Sequence, residues 1–171
     1  MSEITDFNEL QLGIEHAIKA RFPRLNTVAL MRTDPDDTIK TPAVLLEVSG
    51  FTGGKKVSGG RLALRMTCQA HCMLSIRSAN VEREIVNMAA AVAALVEGNH
   101  WGLPAAVQRP ENIEATPGEF STGEAGFESW VVSWEQLIHL GAEWQPPDDM
   151  PERPSCPDHP GGERGHRGRH A

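Results

Sequence analysis

Asn80-Val81-Glu82-Arg83-Glu84-Ile85-Val86-Asn87-Met88-Ala89-Ala90-Ala91-Val92-Ala93-Ala94-Leu95-Val96-Glu97-Gly98 is the stretch on which the fold turns. Ile85, Met88, Val92 and Leu95 recur at steps of three and four, which puts them on one stripe of an α-helix. Asn80 is placed to cap its start, Glu82 and Glu84 suit the positive end of the helix dipole, and Gly98 suits the left-handed turn that ends a helix. The alanines at 89, 90, 91, 93 and 94 favour the helix and let another element approach closely. The stretch reads as a core helix lying on a sheet, a scaffold and not a reagent.

Upstream, Arg61 to Arg77 alternates. Leu62, Leu64, Met66, Cys68, Ala70, Cys72, Leu74 and Ile76 fall on one face. Arg61, Arg65, Thr67, Gln69, His71, Ser75 and Arg77 fall on the other. This is a strand period. At ~3.3 Å per residue the stretch would span roughly 50 Å, long for a strand in a domain of this size, so a bulge or a projecting end is expected. Downstream, Trp130 to Leu140 is a second strand, with Trp130, Val132, Trp134, Ile138 and Leu140 on one face and Gln136 as the exception among them.

Further out, Asp6 to Phe22 predicts a first helix. Asp6 and Glu9 have capping-box spacing, Phe7, Leu10, Ile14, Ala17 and Ile18 form its apolar stripe, and Pro23 ends it. Leu25 to Met31 and Pro42 to Val48 read as strands, separated by the turn residues Thr33 to Asp37. Gly50 to Gly60 resembles a phosphate loop only superficially. It is one residue short, carries Lys56 where a magnesium-holding hydroxyl belongs, and leads into a strand instead of a helix. It is expected to be a hairpin tip, with Phe51, Lys55 and Lys56 as candidate contacts to a neighbouring subunit or partner. Asn99 to Ser129 is loop-rich, with a short strand or two near Val107 and Asn112 to Ala115, and Gly118 to Gly126 is expected to be mobile. After Trp144 the prolines at 146, 147, 151, 154, 157 and 160, with mixed charges and few apolar side chains, predict a disordered tail over 145–171. The fold class expected is α/β (α+β), one domain over 1–144 in the order α-β-β-β-α-β-β, its mixed or antiparallel sheet flanked by two helices.

With 171 residues the chain can build one proper core. Its net charge of −7 gives no basic footprint for nucleic acid. The region from Met1 to Glu9 carries Glu3, Asp6 and Glu9 and no apolar run, unlike a signal peptide, and the longest apolar run, Met88 to Val96, is too short for a bilayer. Three cysteines make no disulfide framework, which points to a reducing cytoplasm.

Candidate chemistry is sparse. Cys68, His71 and Cys72 have ligand-type side chains, but alternation sends the cysteines to one side of the strand and the histidine to the other. Buried cysteines and an exposed histidine are therefore expected. Cys156, His159, His166 and His170 match no established zinc spacing. Asp34, Asp36 and Glu47 resemble a magnesium-dependent nuclease's acids, yet Ser49 stands where such a site needs lysine. Neither a nucleophile elbow nor a dinucleotide fingerprint is present. No catalytic residue, metal or cofactor is assigned.

The long strand ending Ser75-Ile76-Arg77, the helix Val81 to Val96 and the closing Phe127-Glu128-Ser129-Trp130-Val131-Val132-Ser133-Trp134-Glu135-Gln136 resemble the tail terminator (tail-completion) proteins of long-tailed bacteriophages, of the Mu-like siphophage type. The resemblance covers roughly 6–144 and is one of element order and texture. It implies a hexameric ring that caps the tail tube, stops its polymerisation and joins it to the head-side connector, with tube protein and neck protein as partners. It further implies location at the neck end of the virion tail after assembly in the host cytoplasm, DNA passing through the lumen without specific binding, and no membrane. The alternatives are another phage neck or head–tail connector protein and a metal-dependent hydrolase using Asp34, Asp36 and Glu47.

Overall fold

The computed structural model describes residues 4, 6–31, 39–56, 61–119 and 126–141, with backbone alone at 55 and 56. The elements run α1 (Phe7–Arg21), β1 (Thr27–Leu30), β2 (Ala43–Lys56), β3 (Leu62–Ser75), α2 (Val81–Val96), β4 (Glu111–Pro117) and β5 (Phe127–Leu140). This is the expected α+β order. The expected turn over Thr33 to Asp37, residues 120–125 of the segment Gly118 to Gly126 expected to be mobile, and the expected tail over 145–171 lie outside the described residues, as do Asp34, Asp36, Cys156, His159, His166 and His170.

The strands form one mixed sheet in the order β1-β2-β3-β5-β4. β1 runs parallel to β2, and the other neighbours are antiparallel. β3 lies at the centre and pairs with β5 without interruption from Leu62↔Leu140 to Ser75↔Phe127. Its length is therefore accommodated with no bulge of its own. The irregularities fall on its other partner, between Val48 and Gly50 and between Gly53 and Lys56 of β2. The glycine-rich segment is thus not all loop, because Gly50 to Lys56 continues β2. Glycine weakens a strand by entropy, but the ladder uses backbone groups alone, and β3 offers it a template.

Both helices lie on one face of the sheet, since their buried residues join a single cluster with those of the strands. α1 contributes Leu10, Ile14 and Ile18, and α2 contributes Ile85, Ala89, Val92 and Val96. The α2 stripe is rotated from the expected one: Met88 and Leu95 are only half-buried, while Ala89 and Val96 take the centre. Alanine at the point of closest approach lets the helix axis come down onto the strands, which moves the larger side chains to the flank.

Capping differs between the two helices. The Asp6 carboxylate accepts from the backbone N–H groups of Asn8 at 2.9 Å and Glu9 at 3.3 Å. Asn80 instead adopts the left-handed conformation, with φ 53°, and its side chain makes no capping bond. Only its backbone carbonyl takes part, accepting from Arg83 and Glu84. Gly98 has φ 68°, as expected of a glycine closing a helix. The exception on β5, Gln136, is fully buried on the helix side of the sheet.

Candidate functional site

The two described helices cover one face of the sheet, and on the other Ala43, Leu45, His71, Met73 and Ser129 are buried without a described helix over them. On that second face Glu47 of β2 sits opposite Gln69 of β3, and His71 lies diagonally beyond, paired to Leu45. The ring nitrogen Nε2 of His71 is 3.0 Å from Oε2 of Glu47. With its proton on Nε2, the imidazole donates to the carboxylate. His71 is buried, against the expectation of an exposed histidine. The expectation assumed that a residue off the main core must face water. Here neighbouring strands and Glu47 crowd the imidazole at the centre of the sheet, and a small second apolar cluster of Ala43, Leu45 and Met73 lies beside it.

These side chains form part of a cleft of about 620 Å³ that crosses four strands. Glu47, Gln69 and His71 line one side, Thr116 and Glu119 the other, and Val131 lies between. Farther along the same face, Arg65 reaches Glu111 at 3.0 Å and Glu135 at 3.4 Å. Asn112 also donates to Glu135, at 3.0 Å. Bonding to Glu111, and then to Glu135, raises the pKa of the exposed Arg65 guanidinium above its ordinary value. Arg65 thereby neutralises part of the acidity of that end, whereas Glu47 and Glu119 have no lysine or arginine within ion-pair distance among the described residues.

The opposite pole of interest is the end of the β2–β3 hairpin. Phe51 pairs with Met66 and so faces the helix side. Its ring lies 5.6 Å from that of Phe7 at the start of α1. Phe51 nevertheless remains 59% exposed and Leu62 39%. Lys55 and Lys56 close β2 at this end.

Cys68 and Cys72 occupy the helix side, in the core. Burial pushes both thiols up to about 12. Alternation correctly separates them from His71. Among the described residues no group of three or more His, Cys, Asp or Glu is placed to hold a metal ion. No described helix is long and apolar enough to cross a membrane.

The pairing of Glu47 with His71 and the grouping of Arg65 with Glu111 and Glu135 were not readable in advance. Each joins residues from different strands, and alternation gives faces without register. The polar spacing Arg65-Thr67-Gln69-His71 was the available signal that one face would be polar.

No protein-family model matches this sequence, and no curated protein matches it. Among solved structures, one similar chain is 18% identical and aligns over 84% of this chain and 100% of that chain, with a TM-score of 0.49. A likeness of that degree carries no argument about function.

Proposed function

We propose that this protein is a structural ring subunit of a long-tailed phage, forming a hexamer that caps the tail tube, ends its polymerisation and joins it to the head-side connector. The observation that carries the reading is a sheet with both described helices on one face and a β2–β3 hairpin on which Phe51 and Leu62 stay exposed. A ring needs two different surfaces on each subunit, so that each copy offers one and receives the other around a closing circle. In this reading the β2–β3 hairpin, with Phe51 and Leu62 exposed, and the sheet face opposite the helices are two such surfaces. A net charge of −7 suits a lumen that DNA traverses without sticking.

The experiment is the mass of the purified protein in solution, followed by electron microscopy of tail tubes mixed with it. A hexamer that decorates one end of each tube and halts its growth supports the proposal. A monomer that leaves tubes unaltered overturns it. A ring that binds the connector but never the tube assigns the protein to another position in the neck. The metal-dependent hydrolase reading is tested in the same preparation by turnover of nuclease substrates with magnesium or manganese.

A further inference from the structure

The ring reading leaves open where on the next copy the hairpin lands. Phe51 is 59% exposed although its ring lies 5.6 Å from that of Phe7, and Leu62 is 39% exposed. The face opposite the helices offers a cleft lined by Glu47, Gln69, Thr116 and Glu119, where apolar side chains gain little. A second recess suits them better. At the other end of the sheet, between the end of α1 and the first half of α2, a groove of about 610 Å³ is lined by Phe22, Leu25, Leu74 and Met88.

Charge favours the same match. Arg21 and Arg24 also line the groove, against the single acid Glu84, and Arg21 lies over the Phe22 ring at 5.4 Å. Neither arginine makes an ion pair among the described residues. Beside Phe51 the sign is opposite. Its ring neighbour Phe7 follows Asp6, which caps α1 and has no cation within ion-pair distance among the described side chains.

The two surfaces cannot meet within one chain. Eight steps along β2 separate Ala43, at the groove end, from Phe51, or roughly 26 Å at ~3.3 Å per residue. Two copies can meet. Each then gives one surface and receives on another, a head-to-tail contact that builds a ring where the rotation closes. An aromatic ring buried in an apolar recess is the kind of anchor that dominates specific interfaces, and opposite charge at its border fixes the register.

Resting on the ring reading, we propose that Phe51 of one copy docks in the groove of Phe22, Leu25, Leu74 and Met88 on its neighbour, with the charge of Asp6 set against that of Arg21 and Arg24. The partner is a second copy of this chain.

The test is sedimentation of the full chain, with thermal melting to verify each fold. Phe51→Ala removes the anchor at an exposed position and is expected to weaken association by about tenfold or more. Arg24→Glu reverses an exposed charge of the groove and should also weaken it. Asp6→Asn keeps a capping side chain and should restore part of what Arg24→Glu loses. The decisive arm mixes two variants. A Phe51→Ala chain keeps its groove, and a Met88→Arg chain with an obstructed groove keeps its phenylalanine, so together they should form a dimer of one copy each and stop there. Should Met88→Arg melt early, Arg24→Glu takes its place. No mixed dimer, no recovery by Asp6→Asn, or a Phe51→Ala chain that assembles like the wild type overturns this contact and leaves the ring standing. A wild type that stays monomeric at high concentration overturns the ring and this contact with it.

Discussion

The indole N–H of Trp101 donates to Oε1 of Gln136 at 2.8 Å, in a part of the core where Gln136 has no exposed surface. The same oxygen accepts from the indole of Trp134 at 3.2 Å. On its other side the amide nitrogen donates to the carbonyls of Asn99 at 3.0 Å and Gln108 at 2.7 Å. One side chain thus ties β5 to both ends of the loop that follows α2. All four capacities of the amide are used, which is the condition for tolerating such a group inside.

Gln136→Leu is therefore expected to be severe. It leaves two indole N–H groups and two carbonyls without their partner, each at about 1–3 kcal/mol. Allowing for non-additivity, a loss of roughly 3–6 kcal/mol is expected in chemical denaturation. A variant within about 1 kcal/mol of wild type would show that the network is replaceable.

Gln136→Glu should make stability depend on pH. The carboxyl can still accept from the indoles, but as an anion it meets the carbonyls of Asn99 and Gln108 with no proton to offer. Burial and those carbonyls favour the neutral acid and raise its folded pKa above the unfolded value of about 4.3. The folded state then binds more protons than the unfolded state. Its stability is fully present below about pH 4.3 and is lost as pH rises through the raised value. Melting temperature should fall from acid to neutral pH relative to wild type, and parallel profiles would refute the argument.

The rotated stripe of α2 predicts an order of damage. Ile85 is fully buried and Leu95 only half-buried. Ile85→Ala should cost about 2–5 kcal/mol, and Leu95→Ala less than half of that. Equal losses in urea unfolding would return Leu95 to the centre of the interface.

Gly13 predicts a helix alanine that harms. A Cβ at this position of α1 would lie 2.7 Å from the backbone oxygen of Trp101. Alanine gains about 1 kcal/mol of helix propensity over glycine, but the turn carrying Trp101 and its bond to Gln136 would have to move. A net destabilisation of about 1–3 kcal/mol is expected from the overpacking. A more stable variant would mean that the turn yields freely.

Cys68 and Cys72 should be inert while the protein is folded. In a Cys156→Ser background, alkylation by iodoacetamide at about pH 8 should be slower by about a hundredfold or more in native protein than in denaturant. With folded thiols pushed up to about 12, their contribution to stability is present below the unfolded value of about 8.5 and is lost as pH climbs through that window. Rapid native labelling would place a thiol at the surface.

Alternation along β3, the three-and-four spacing of α1 and α2 and the stop at Pro23 are local properties of consecutive residues. They established the α+β order and the separation of Cys68 and Cys72 from His71 before any coordinates. What they left undecided is pairing between segments far apart in the chain. Whether Gly50 to Lys56 is loop or strand depended on β3 lying alongside with free backbone groups. Whether His71 was wet depended on the strands around it and on Glu47, 24 residues away in sequence. Gln136 broke a pattern, and only Trp101, Trp134, Asn99 and Gln108 converging from elsewhere explain why. The period of a sequence decides which way a side chain points, whereas its environment is set by the register and packing of elements that the period cannot relate.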